Sequence, residues 1–217
     1  MTAHPLRGRL VAGAQALGLS LTDAQVQQLL GHLDLLGKWN KVYNLTAVRD
    51  PAEMLTHHLL DSLAVIAPLR RHTQGSATRL LDVGSGGGLP GVVIAICCPE
   101  IEVTCVDAVA KKAAFIQQAA GSLGLAHLHG RHGRVEAVVD KFDVITSRAF
   151  ATLGDFTAWS QGALADGGVW AAMKGKHPAD EVAALPPAID VFHVEQLTVP
   201  DLDADRCLIW MRVRAPH

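Results

Sequence analysis

The segment Leu80-Leu81-Asp82-Val83-Gly84-Ser85-Gly86-Gly87-Gly88-Leu89-Pro90-Gly91 runs from apolar residues into alternating glycines and then into a helix opened by Pro90. Residues without a Cβ, such as Gly84 and Gly86, let backbone approach a flat ligand, and a helix start offers unpaired N–H groups to an anion. The loop is expected to hold a nucleoside-bearing ligand. A phosphate-binding loop needs Lys and then Ser or Thr after its last glycine, which Leu89-Pro90 does not supply, so ATP-type phosphate binding is excluded. The dinucleotide pattern GxGxxG meets Leu89 where its third glycine should fall, which demotes NAD without excluding it. Asp107, 19 positions beyond Gly88, ends the next apolar run. There its carboxylate can accept both hydrogens of a ribose diol.

These residues need a scaffold. With 49% hydrophobic residues among 217 and only 18% charged, the chain can bury a large core and is neither disordered nor fibrous. From Arg79 onward short apolar runs alternate with helical segments, the pattern of βαβ units. Strands are expected at 79–83, 101–106, 127–130, 142–146, 169–173, 191–199 and 207–213, with helices over 90–98, 110–123, 135–139, 152–164 and 178–184. The prediction is an α/β fold, a doubly wound, seven-stranded, mostly parallel sheet whose last two strands pair as an antiparallel hairpin at the edge.

Before this stands a helical N-terminal extension, residues 1–72, packed as one unit with the domain of residues 73–217. Thr22 and Gln25 form a capping box ahead of Val26, Leu29, Leu30, Leu33 and Leu36, which predicts an amphipathic helix ending near Trp39. Asp50, with Pro51 at the first helical position, starts a second helix expected to close around Pro68, and 72–78 reads as the hinge.

The cysteines Cys97, Cys98, Cys105 and Cys207 fall in apolar segments without metal-ligand spacing and read as buried, reduced thiols. No metal site is expected, since His127, His129 and His132 lack a Cys or carboxylate at ligand spacing. Apolar stretches are broken short of a membrane span and the first residues lack the apolar run of a signal peptide, so a soluble, cytoplasmic protein follows; separately, a monomer is expected. The net charge of −2 makes no global demand for a nucleic-acid partner. Any such contact must be local, at patches such as Lys38, Lys41 and Arg49.

The glycine segment, together with Lys38-Trp39-Asn40-Lys41-Val42-Tyr43-Asn44-Leu45-Thr46, His57-His58-Leu59-Leu60-Asp61-Ser62-Leu63, Arg134-Val135-Glu136, Ser147-Arg148-Ala149-Phe150 and Met173-Lys174-Gly175, closely resembles the 16S ribosomal RNA guanine-N7 methyltransferases, also called the glucose-inhibited division protein B family. The resemblance covers nearly the whole chain. It implies S-adenosyl-L-methionine as cofactor, contacted through Gly84, Leu89, Val135, Glu136 and Arg148. It also implies 16S rRNA or the small ribosomal subunit as partner, with N7 of one guanine as methyl acceptor. No catalytic residue in the narrow sense is assigned. Asn44, His58, Arg148 and Lys174 are candidates for substrate contact, and Asp61 shares a helix face with His58. Trp39 and Tyr43 read more readily as core than as base-stacking residues. Gly87 stands where many relatives have Pro, and His57 where Arg is common. Rival readings are a methyltransferase for another substrate, a nicotinamide-dependent oxidoreductase, and a cofactor-binding module without catalysis.

Overall fold

The computed structural model describes residues 4–215. Seven strands form one sheet in the order β3-β2-β1-β4-β5-β7-β6. They are β1 (Thr78–Val83), β2 (Ile101–Asp107), β3 (Leu128–His132), β4 (Phe142–Arg148), β5 (Leu164–Lys174), β6 (Ile189–Leu197) and β7 (Arg206–Val213). β1 pairs in parallel with β2 and β4, β2 with β3 and β4 with β5. β7 runs antiparallel to both β5 and β6, so the predicted edge hairpin is present. Strand order reverses between β1 and β4, which opens a crevice at the carboxyl ends of those strands.

Both faces of the sheet are covered, so successive strand residues enter different cores. Leu80, Val144, Val169 and Ala171 join one apolar cluster, while Leu81, Ile145, Trp170 and Ala172 join the other. This period of two on a sheet buried on both sides explains the continuous apolar runs of the sequence. Trp170 is wholly buried, and its indole N–H donates to Ser160 Oγ at 2.9 Å, removing the cost of an unpaired donor.

The first cluster is shared with the N-terminal extension. Its helices are α1 (Arg7–Ala16), α2 (Asp23–Tyr43), α3 (Pro51–Met54), α4 (Asp61–Leu63) and α5 (Ile66–Thr73), with a π-helical stretch Leu55–Leu60 joining α3 to α4. The domain's own helices are α6 (Gly91–Cys97), α7 (Ala110–Leu123), α8 (Leu153–Ser160) and α9 (Ala179–Ala183). Leu29, Leu33, Leu36, Leu59 and Leu63 of the extension are buried in one cluster with Val93, Phe115 and Ile116. Side-chain amides add direction: Gln25 donates to Ile96 O at 3.1 Å and Gln28 to Leu123 O at 2.9 Å.

Local signals account for the helix starts. Thr22 Oγ1 accepts from Gln25 N, and Gln25 Oε1 accepts from Thr22 N, completing the capping box. Asp50 Oδ1 accepts from Ala52 N and Glu53 N. The helix ends depart from expectation. α2 continues past Trp39 to Tyr43, and its buried Asn40 ties down the loop that follows through Thr46 N and Val48 O, contacts that periodicity cannot register. Pro68 does not close the second helix; it sits in the first turn of α5, where a missing N–H costs nothing.

Three further corrections follow from packing. α1 was not anticipated, having two glycines and no side-chain cap, but Gly13 lies against Leu60 and holds it in place. The helix expected over 135–139 is a single 3-10 turn, Val135–Ala137. α8 stops at Ser160, a 3-10 turn covers Gln161–Ala163, and β5 begins at Leu164 because that residue pairs with Phe142. The four cysteines are free and buried.

Candidate active site

Two cavities open at the carboxyl ends of the central strands. The first, about 470 Å³, takes Gly86 and Leu89 from the glycine loop, His58 and Asp61 from the extension, and Arg148, Lys174 and Arg206 from strand ends. The second, about 400 Å³, is walled by Val83, Val106, Asp107, Val135, Glu136 and Phe150, among others. Gly84 and Ala149 border both. Ala149 has a left-handed backbone, φ 50°, uncommon for a residue with a Cβ. Its neighbours part there, Arg148 bordering the first cavity and Phe150 the second.

The glycine loop is held by its own backbone and by two carboxylates. Gly84, φ 67°, takes a conformation that L side chains rarely adopt, and the Phe150 ring occupies the space a Cβ would need. Gly86 N donates to Asp107 Oδ2 at 3.0 Å, and Val109 N donates to Asp107 Oδ1 at 2.9 Å. Asp107 thus fixes the loop as well as facing the cavity, and each oxygen keeps further acceptor capacity. Gly91 N donates to Asp82 Oδ2 at 2.8 Å. Of the N–H groups that the helix start was expected to offer to an anionic ligand, that of Gly91 is already taken by this buried side chain behind the loop. Burial pushes the Asp82 carboxyl up to about 7, against the Gly91 hydrogen bond and the Arg148 charge, which favour ionisation.

On the first cavity, Asp61 is 3% exposed and binds two guanidinium groups: Arg148 Nη1 donates to Oδ2 at 2.9 Å and Arg206 Nε to Oδ1 at 2.8 Å. Arg148 Nη1 also donates to His57 O at 2.9 Å, a carbonyl of the π-helical stretch, where the usual helical register is broken. His58 Nε2 lies 2.8 Å from Thr46 Oγ1. Burial first, then the Arg148 charge, lowers the His58 pKa to about 4, so its ring is neutral at pH 7. Lys174 Nζ donates to Ala151 O at 2.7 Å and to Glu181 Oε2 at 2.9 Å. Burial opposes ionisation of Glu181, but hydrogen bonds from Lys174 and Leu153 N–H outweigh it and lower its pKa.

Of the residues singled out from sequence, Gly84, Gly86, Leu89, His58, Arg148 and Lys174 border the first cavity, and Asp107, Val135 and Glu136 the second. Asn44 is not brought to either. It caps α2 in a left-handed conformation, exposed, and its amide oxygen accepts from Arg49 Nη2 at 3.1 Å. Trp39 packs edge-on against Phe115, centroids 5.5 Å apart, as a core residue, whereas Tyr43 is 41% exposed. Sequence reasoning missed Arg206, Glu181 and Thr46. Arg206 had no local signal, since its partner Asp61 is 145 positions away.

The arrangement suits a ligand with a flat apolar part, a diol and a charged end. Val106, Val135 and Phe150 wall a slot, Asp107 offers acceptors beside it, and Gly84 lines both the slot and the polar first cavity.

Known proteins resemble this chain closely. The family described as GidB, rRNA small subunit methyltransferase G, matches residues 25–209. The Ribosomal RNA small subunit methyltransferase G of Acidovorax ebreus (strain TPSY) is 69% identical over 217 residues, covering 96% of this chain and 94% of that protein. The protein of the same name from Polaromonas sp. (strain JS666 / ATCC BAA-500) is 67% identical over 210 residues, covering 95% and 93%. Among solved structures, TrmN from Thermus thermophilus superposes with a TM-score of 0.55 at 19% identity, over 74% of this chain and 53% of that one. A SAM dependent methyltransferase from Aquifex aeolicus gives 0.54 at 15%, over 75% and 98%. At such identities the structural likeness speaks to the fold alone.

Proposed function

Because the chain belongs to the GidB family of small-subunit ribosomal RNA methyltransferases, we propose that it methylates N7 of a guanine in 16S rRNA, with the cofactor's nucleoside in the second cavity, its amino-acid end reaching Gly86, Leu89 and Arg148 of the first, and the acceptor base in the rest of the first. The methyl donor is S-adenosyl-L-methionine, which when bound supplies a methyl group on a positively charged sulfur.

The observation that carries the reading is the shared border at Gly84 and Ala149. A ligand seated against Asp107, Val135 and Glu136 lies beside Gly84 and Ala149, which also line the cavity that holds Arg148. Within this reading Asp107 accepts from the ribose hydroxyls, Val135 and Phe150 sandwich the adenine, and Gly84 and Gly86 admit the chain that follows. The residues present therefore fit the group.

The chemistry of the first cavity agrees with an N7 acceptor. Guanine N7 has a free lone pair and carries no proton, so no general base is required and the protein's part is alignment and fixed charge. Neutral His58, committed to Thr46, serves as a hydrogen-bonding wall. Arg148 and Arg206, held by Asp61, retain N–H groups for guanine O6 or a phosphate oxygen, the usual targets of arginine on nucleic acid. Lys174 is a weaker candidate, since Glu181 already neutralises it.

We further propose that residues 1–72 form the acceptor-side wall and 73–217 the cofactor domain, and that the protein works as a cytoplasmic monomer. Among the described residues no helix is long and apolar enough to cross a membrane. The direct test is to incubate the protein with radiolabelled cofactor and small subunits or 16S rRNA, then map the product. Label recovered as N7-methylguanosine at one position supports the reading; label elsewhere, or none, refutes it.

A further inference from the structure

Resting on the reading above, we propose that the exposed end of α2 and the loop after it, residues 38–49, form the face on which the phosphate backbone of the substrate RNA docks. Five surface cations elsewhere are tied to carboxylates, Arg7 to Asp23, Arg9 to Asp201, Arg71 to Glu195, Arg131 to Asp140 and Arg212 to Asp190, while Lys111, Arg134, Lys176 and Arg214 stand exposed without one among the described residues, scattered along the chain. Lys38, Lys41 and Arg49 are exposed, and none has a carboxylate within 4.0 Å among the described residues. The sequence explains this, because no acidic residue lies between Asp34 and Asp50. Those two acids are engaged elsewhere, Asp34 with His4 at 3.4 Å and Asp50 with the N–H groups that open α3. In a chain of net charge −2, this is a local positive stretch that nothing in the fold neutralises.

Its position couples it to the active site. α2 ends at Asn44, and the next two residues, Leu45 and Thr46, already line the first cavity. A strand held along this face would thus enter the cavity beside His58, to which Thr46 is hydrogen-bonded. The same stretch exposes apolar surface beside its charges, Val42 at 69% and Tyr43 at 41%. Trp39, anchored on Phe115, holds the Tyr43 ring at a centroid distance of 5.0 Å, so the ring is fixed on the outside of the helix. An aromatic platform among unpaired cations is the composition that single-stranded nucleic acid recognises, through stacking on one and phosphate contact with the other.

The experiment measures binding to transcribed 16S rRNA and to purified small subunits across a potassium chloride series. Subject proteins are the wild type, the triple variant K38Q/K41Q/R49Q, Tyr43→Ala, and Arg212→Gln as a control cation on the far strand hairpin. The triple variant should flatten the slope of log affinity against log salt by about two to three, since each lost phosphate contact removes roughly 0.7–0.9. Tyr43→Ala should weaken binding about fivefold or more with the slope unchanged, as loss of one stacked base implies. Arg212→Gln should match the wild type. Calorimetric binding of S-adenosylhomocysteine should be the same in all four, which separates docking from folding.

A triple variant with wild-type slope and affinity would overturn the proposal. So would a variant that loses affinity for subunits yet binds free rRNA with the wild-type slope, since the partner would then be a ribosomal protein. Failure of the wild type to produce N7-methylguanosine would instead strike the functional reading, whatever the binding results.

Discussion

Asp61 and Arg148 are joined by a 2.9 Å ion pair spanning 87 positions of chain, and the other oxygen of Asp61 holds Arg206 at 2.8 Å. One buried carboxylate of the extension therefore sets the direction of two cations that come from separate strands. Asp61→Asn keeps the shape but turns an amide toward one guanidinium. We expect a stability loss of about 1–3 kcal/mol, moderated because both arginines are partly exposed. Methyl transfer should drop about tenfold or more, as misplaced groups cost rate. Urea unfolding and single-turnover labelling measure the two effects; wild-type values in both would show the pairs to be incidental.

Asp107→Ala removes the acceptor for Gly86 N–H and the proposed ribose contact together. Cofactor affinity should weaken about ten- to a hundredfold, from about 1.5–3 kcal/mol per charge-assisted bond. Titration calorimetry with S-adenosylhomocysteine checks this, and an unchanged dissociation constant would remove Asp107 from the site.

His32 of α2 is fully buried beside Phe115, and neither ring nitrogen has a hydrogen-bond partner among the described residues. Burial first, then the neighbouring His58, lowers its pKa to about 3 from 6.5. The unfolded chain binds this proton more readily, so the residue costs stability as pH falls from about 6.5 toward 3. His32→Leu should gain about 2 kcal/mol relative to wild type between pH 7 and pH 5, at 1.36 kcal/mol per unit. Asp82 acts oppositely, since its raised pKa makes stability fall as pH rises between about 4 and 7, but it is common to both proteins and cancels in the difference. Denaturation curves at the two pH values decide it; a gap independent of pH would contradict the buried neutral ring.

Gly91→Ala would place a methyl against Cys105 Sγ and 2.8 Å from Asp82 Oδ2. The crowding should cost about 1–3 kcal/mol, typical of an overpacked core. It should also weaken cofactor binding by displacing the loop whose start Asp82 holds. A variant as stable as wild type would mean that α6 can shift without penalty.

How much of this was legible beforehand depends on the range over which the forces act. The alternation of apolar runs and helical segments gave the sheet and its edge hairpin, because burial on two faces imprints itself on every strand. Helix starts were legible at Thr22 and Asp50, where a side chain bonds its own backbone two or three residues on. Helix ends were not, as Asn40 and Pro68 show, since they depend on what packs against the last turn.

By itself the sequence determined the glycine loop and the acid that ends β2, because backbone room and the carboxyl end of a neighbouring strand are fixed by residue type and spacing. Only the tertiary structure decided that Asp61, Arg148 and Arg206 form one unit, that Asn44 lines neither cavity, and that Lys174 is spoken for by Glu181. Ion pairs between residues far apart in the chain leave no periodic trace, for their geometry exists only once the extension has packed on the sheet.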